Sequence, residues 1–201
     1  MSLLSFHWST MTKARQNSEY IGLTMMWKIL SETGILSITP WFNITVQRIL
    51  LPDGREIDDY YQINQPSYCE IAVKDKTGRF LIHETYKHGV RTITLGFPGG
   101  YINEGESPQK AAMRELHEEC GLSAENWKNL GSYVIDGNRG EARVHMFLAE
   151  DIANIEKIAS DDLEEAKTLW VSEIQLKNYA KNDCFKTLGA RLLVEKIVNG
   201  L

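Results

Sequence analysis

Apolar and polar positions begin to alternate at Trp41. In WFNITVQRILLPDGREIDDYYQIN, two β-rich runs flank Pro52-Asp53-Gly54-Arg55, and Asp-Gly between alternating runs predicts two antiparallel strands joined as a hairpin. YCEIAVKDKTGRFLIHE repeats the device, with strands expected at 68–74 and 79–84 around a turn at Lys76-Thr77-Gly78. A shorter β-run, RTITLGFPGG, ends in Pro98-Gly99-Gly100, while GSYVI and EARVHMFLAE read as later strands. Near the end, DCFKTLGARLLVEKIVNG places Phe185, Leu188, Leu192 and Val194 to Val198 at helical spacing, which predicts a closing amphipathic helix. Ser172 with Gln175 suits a capping box for a shorter helix before it. Paired strands with helices between them predict an α/β fold, a mixed sheet covered by helices.

The stretch GGYINEGESPQKAAMRELHEECGL, from Gly99 to Leu122, has its own logic. Ser107 is a good N-cap, Pro108 fits the first helical position and Gly121 is a natural stop, so one helix is expected over Pro108–Cys120 behind a tight Gly-rich loop. At 100° per residue Glu115, Glu118 and Glu119 fall together on one face, with Ala112, Met113, Leu116 and Cys120 adjoining them and turned to the core. Arg114 stands four residues before Glu118 and can pair with it. Like charges so close repel unless something positive lies among them. Three carboxylates beside a loop of inward carbonyls are the hard oxygen donors that Mg²⁺ or Mn²⁺ prefers. The same spacing also suits a solvated helix face held by scattered ion pairs.

Composition narrows the partners. With 22 Lys and Arg against 27 Asp and Glu, the net charge of −5 and the lack of a basic run make a nucleic-acid backbone or an anionic membrane a poor partner. The 201 residues are 43% hydrophobic, enough for one buried core with an extension. Cys69, Cys120 and Cys184 are odd in number and form no CxxC pair, which points away from a disulfide framework or thiolate zinc site and toward a reducing cytoplasm. No run approaches the roughly 18 apolar residues of a membrane span. Residues 1–24 lack a clear period and are expected to be an N-terminal extension, partly a tag remnant or a flexible tail. His7, His83, His88, His117 and His145 show no HxxxH spacing and read as structural or surface residues, with His117 facing solvent. There is no phosphate-loop lysine, no GxSxG and no cysteine with a nearby base in sequence.

Gly100, Glu106, Arg114, Glu115, Leu116, Glu118, Glu119, Gly121 and Leu122 stand in the order and spacing of the Nudix box, so this stretch resembles the signature of the Nudix hydrolases at every fixed position. The resemblance implies an α/β/α sandwich and metal-dependent hydrolysis of a nucleoside diphosphate linked to another moiety. It further implies that Glu115, Glu118 and Glu119 ligate the cations together with the Gly99 carbonyl, and that Glu106 and Arg114 hold the loop against the helix. A divalent ion there would neutralise phosphate charge and activate a water for in-line attack.

Outside the box, from about Trp27 to Val198, the chain resembles more loosely the ADP-ribose and nucleotide-sugar pyrophosphatase branch. It departs from the branch at HETYKHG, where Glu84, Thr85 and Tyr86 precede the single retained cation, Lys87. The resemblance implies that a glutamate beyond the box assists the attacking water; Glu164 is the best match, with Asp162 and Glu165 beside it. Trp41, Tyr60 and Tyr61 occupy places comparable to those where some members of the branch stack on the base, and an aromatic clamp of these residues is expected, within one subunit or between two. The N-terminal strands of residues 25–66 are expected to mediate a homodimer and touch substrate, leaving 67–201 as the hydrolase domain. The substrate implied is a small nucleotide sugar or ADP-ribose, cleaved to a nucleoside monophosphate and a phosphorylated product with Mg²⁺ or Mn²⁺. Two other readings stand beside it: a nucleoside triphosphate or dinucleotide pyrophosphatase, and a non-catalytic Nudix-like regulator, a class whose boxes are commonly damaged.

Overall fold

A computed structural model of the chain describes residues 25–156 and 166–200. The chain divides after Gln65 into two compact units. In the first, β1 (Lys28–Ile38), β2 (Phe42–Leu50) and β3 (Glu56–Asn64) form an antiparallel sheet in that order. The Asp-Gly hairpin is present between β2 and β3: the Leu51 N–H donates to the Arg55 carbonyl (2.8 Å) and Asp53 Oδ1 accepts from the Arg55 N–H (3.1 Å). Strand β1 was not expected from the pattern. Every residue of KILSETGILSI is exposed, so no buried face imprinted an alternation on it.

The second unit is a mixed sheet between helical layers. Its strands are β4 (Tyr68–Lys74), β5 (Phe80–Lys87), β6 (Thr92–Gly96), β7 (Leu122–Val134), β8 (Arg143–Asn154) and β9 (Ala166–Val171). They run in the order β6-β5-β4-β8-β7, with β9 paired to β5. Strands β4 and β8 are parallel, and the other pairs antiparallel. The helices are α1 (Pro108–Cys120), α2 (Glu173–Lys181) and α3 (Leu188–Asn199). Strand β4 explains the layering, because its side chains alternate between two cores. Cys69, Ile71 and Val73 pack with Ala111, Ala112 and Leu116 of α1, whereas Ala72 joins Leu176 and Ala180 of α2 and Ala190, Leu193 and Val194 of α3. The result is an α/β/α sandwich. Among the described residues no helix is long and apolar enough to cross a membrane.

Three details differ from the pattern reading. Strand β7 begins at Leu122, immediately after the Gly121 stop, and absorbs Gly131 to Val134 of GSYVI as its far end. The closing helix starts at Leu188 instead of Phe185; Phe185 lies before it, buried, with its ring stacked on Phe97 at 5.7 Å. Met113 is 48% exposed, and Ala111 takes the core position instead, since α1 rolls its small-residue edge onto the sheet.

Candidate active site

The α1 helix is punctuated as its sequence implies. Ser107 Oγ accepts from the Lys110 N–H, Pro108 fills the first position, and Gly121 ends the helix at φ 63° with its N–H donating to the His117 carbonyl. Before it, the chain from Pro98 to Ile102 lies along β4: Ile71 N–H donates to the Pro98 carbonyl, Cys69 N–H to the Gly100 carbonyl, and Ile102 N–H to the Ser67 carbonyl. Close approach dictates both glycines here. A Cβ on Gly99 (φ 153°) would lie 2.0 Å from the Cys69 carbonyl oxygen, and one on Gly100 would lie 2.4 Å from Glu115 Oε1. The loop backbone is thereby pressed against a carboxylate that is itself buried.

Arg114 organises the acidic face. Its Nε and Nη2 donate to Glu106 Oε1 (3.1 Å) and Oε2 (3.0 Å) as a fork, Nη1 donates to Glu115 Oε1 (2.6 Å) and Glu118 Oε2 (3.0 Å), and Nη2 also reaches the Tyr101 carbonyl (2.9 Å). Loop and helix are tied through one guanidinium. The hydrogen bonds from Arg114 come first in holding the Glu106 carboxyl below its usual range, and those carboxylates push the arginine well above its own. Part of the positive charge that the acidic face requires is therefore Arg114 itself, with Glu115 added to the expected Glu118 pair.

Glu119 is held differently. Its Oε2 accepts from the Gly99 N–H (2.9 Å) and lies 4.0 Å from His83 Nδ1 of β5, while His83 Nε2 is 3.7 Å from Cys120 Sγ. Sequence reasoning placed His83 and Cys120 in no site, because the contact joins β5 to the last turn of α1 and no local spacing announces it. His117, expected to face solvent, is half-buried with Nε2 2.6 Å from the Glu156 carbonyl oxygen.

The remaining expected residues are dispersed. Lys87 closes β5 opposite Thr92 of β6. Trp41 does not begin a strand: it sits 58% exposed in the turn between β1 and β2, its N–H donating to the Ile38 carbonyl. Tyr60 and Tyr61 lie in the middle of the edge strand β3, opposite Gln47 and Val46, and the ring edge-on to Tyr60, at 5.6 Å, is Trp27. The expected clamp of Trp41 with a tyrosine is thus not assembled within this unit, since the register sets the tyrosines several residues from the Trp41 turn. Glu164, Asp162 and Glu165 lie outside the described residues.

The donor chemistry fits a hard divalent cation. Glu115, Glu118 and Glu119 offer side-chain oxygens within one turn of a rigid helix, against a backbone loop that only glycine can bring so near. Comparison with known proteins identifies the family. A NUDIX domain model matches residues 64–188. The chain is 24% identical over 139 residues to an ADP-ribose pyrophosphatase of Bacillus subtilis, covering 69% of this chain and 74% of that one. It is 25% identical to the methanol dehydrogenase activator of Bacillus methanolicus over 61% of this chain and 66% of the relative. A CMP-5'-(N-acetyl-N-hydroxy-3-aminopropyl)phosphonate hydrolase of Streptomyces rubellomurinus matches at 26%, over 65% and 63%. The fold is shared with a crystal structure titled as an ADP compounds hydrolase, at TM-score 0.71 and 20% identity over 87% of this chain and 95% of that one. With the box intact from Gly100 to Leu122 and the domain match covering most of the chain, this protein belongs to the Nudix hydrolase family.

Proposed function

We propose that this chain is a Mg²⁺-dependent pyrophosphatase that cleaves a nucleoside diphosphate derivative, ADP-ribose or a nucleotide sugar, to a nucleoside monophosphate and a phosphorylated product. The observation that carries the reading is the carboxylate face of α1, with Glu115 and Glu118 gathered on Arg114 and Glu119 held to the N–H of Gly99 in the Gly99–Gly100 loop. Similarity to an ADP-ribose pyrophosphatase supports the substrate class. Glu115, Glu118, Glu119 and the Gly99 carbonyl are the proposed ligands, and the bound cation would supply charge neutralisation on the diphosphate and acidify the attacking water. Arg114 and Glu106 act by position: the fork between them fixes the loop that carries Gly99 relative to the helix that carries the glutamates. Glu164 is the proposed residue that accepts the water's proton. Lys87 is proposed to meet substrate phosphate as a point charge, and Trp41, Tyr60 and Tyr61 to stack on the base, each stacked ring contributing about 1–3 kcal/mol.

The first unit is proposed to form a homodimer. Met25, Met26, Trp27, Ile29, Ile35, Leu36 and Ile38 are all exposed around β1, more apolar surface than a lone sheet keeps without a partner. Light scattering at micromolar concentration is expected to give twice the 22.9 kDa chain mass, and a monomer mass contradicts the dimer. The activity is tested with a panel of ADP-ribose, nucleotide sugars, nucleoside triphosphates and dinucleotides, with Mg²⁺ present or chelated. Cleavage of the first two to monophosphates only with metal is expected; a preference for triphosphates or dinucleotides, or full activity after chelation, refutes the reading.

A further inference from the structure

One cluster is used by the chemistry above only through its glutamate. His83, Glu119 and Cys120 present one imidazole nitrogen, one carboxylate oxygen and one thiol sulfur, and these ligand atoms lie within 4.8 Å of one another. The three come from two elements, β5 and the final turn of α1. His83 is only 6% exposed, whereas Cys120 and Glu119 are half-buried and keep an opening to solvent. The donor set differs in kind from its neighbour. Mg²⁺ takes oxygen and shuns thiolate and imidazole, while zinc and similar borderline metals favour them.

We infer that His83, Cys120 and Glu119 form a second, inhibitory site for a zinc-class transition metal, which shares Glu119 with the proposed Mg²⁺ ligand set. Tetrahedral zinc with Zn–S about 2.3 Å and Zn–N about 2.0 Å separates its ligands by roughly 3.5 Å. The separation of 3.7 Å between His83 Nε2 and Cys120 Sγ is already close to that figure. Glu119 completes the set by turning its carboxylate, which already has an oxygen within 4.8 Å of the other two ligand atoms, toward the shared metal. Doing so takes it from the Gly99 N–H that it accepts at 2.9 Å, and so from the loop of the hydrolytic site. With Glu119 drawn off the loop, zinc occupancy weakens the hydrolytic set, and zinc binding and hydrolysis oppose each other. Three protein ligands leave a fourth position open, which makes the site exchangeable, unlike a closed structural one. The Cys120 thiol gives up its proton to solvent when the metal binds, so binding strengthens as pH rises.

The inhibitory half of this inference rests on the proposed role of Glu119; the binding half does not. The full chain is titrated with Co²⁺, without Mg²⁺, and followed by the thiolate-to-cobalt band in the near ultraviolet and by the tetrahedral visible bands. One equivalent is expected to develop both. Cys120→Ser should abolish the thiolate band and His83→Gln should weaken binding about tenfold or more, while Cys69→Ser and Cys184→Ser retain the wild-type spectrum. In the hydrolysis assay, Zn²⁺ is expected to inhibit the wild type in the presence of Mg²⁺. Cys120→Ser should need about tenfold or more Zn²⁺ for the same inhibition, with its Mg²⁺-supported kcat unchanged. Because His83 is buried, the serine variant carries the test if the glutamine variant loses its melting transition. Absence of the thiolate band in the wild type, or its persistence in Cys120→Ser, overturns the site. Equal zinc inhibition of wild type and Cys120→Ser overturns the opposition. A chain that binds Co²⁺ through Cys120 but hydrolyses nothing with Mg²⁺ refutes the proposed function and leaves the metal site standing.

Discussion

Two glutamates on opposite faces of one sheet make an informative pair. Glu115, on α1, is buried yet accepts from Arg114 Nη1 at 2.6 Å, within a guanidinium network that also holds Glu106 and Glu118. Glu70, on β4, turns the other way, toward Gly189 in the first turn of α3: a Cβ on that glycine would lie 2.6 Å from both Glu70 Oε1 and the Tyr68 hydroxyl. Its Oε2 is sealed from solvent with no hydrogen-bond partner among the described residues. Burial pushes the Glu70 carboxyl up to about 8, and the charge of Lys87 offsets that only in part. The difference lies entirely in the surroundings. On the α1 side a fixed cation and backbone donors hold the carboxylates in a hydrogen-bonded network and keep Glu106 below its usual range; on the α3 side burial holds the same group neutral near pH 7.

Removing a proposed metal ligand should have the largest effect. Glu119→Gln keeps the shape but removes a negative ligand, so kcat is expected to fall by about 100-fold or more while the melting curve stays cooperative. Near-wild-type turnover would remove Glu119 from the ligand set. Arg114→Ala should come next, since it strands carboxylates that share one partner: a loss of about 3 kcal/mol in denaturant stability is expected, with Arg114→Lys recovering only part of it because an ammonium cannot fork. An unchanged midpoint would mean that the network in the loop is ornamental to the fold.

Glu70→Gln should act in the opposite sense and only at higher pH. The folded carboxyl sits near 8 against an ordinary value of 4.5, so the folded state binds the extra proton between those values. Its neutral-form stability is fully present below about pH 4.5 and drains away as pH rises toward 8. The variant should therefore match the wild type at pH 5 and exceed it at pH 8 by on the order of 3 kcal/mol. Equal pH dependence of melting in the two proteins would show that Glu70 is ionised. The smallest effect expected is that of Mg²⁺ on thermal stability. At about 100 times its dissociation constant a ligand adds about 2.7 kcal/mol, and this gain should persist in Glu70→Gln but shrink in Glu119→Gln. A gain that survives loss of Glu119 would place the ion elsewhere.

Much of this was legible before any coordinate. The caps of α1 are local chemistry: Ser107, Pro108 and Gly121 act within a turn of where they stand, and the helix bounds follow from them. The Ser172–Gln175 capping box and the Asp53-Gly54 turn are legible for the same reason. Strand β1 was not, because a strand exposed at every position carries no record of which face it turns. Strand β9 was missed as well; a short run such as AKTLWV gains identity only by pairing, here of Ala166–Val171 with Phe80–Thr85. Trp41 illustrates the converse, a residue whose type suggested a clamp but whose turn position only the β1–β2 register reveals.

The sequence by itself determined the acidic helix, its glycine-rich approach and hence the hydrolase family, because those depend on spacing along a single segment with a 3.6-residue period. Only the tertiary structure decided how the charges are shared. Arg114 takes Glu106, Glu115 and Glu118, while Glu119 leans to Gly99 and His83, and His83 reaches Cys120 across 37 positions of chain. Glu70 was likewise set apart only by folding, when β4 turned it beneath α3. Ionisation and metal preference depend on distance and burial, and both are properties of segments brought together, which no single stretch of sequence contains.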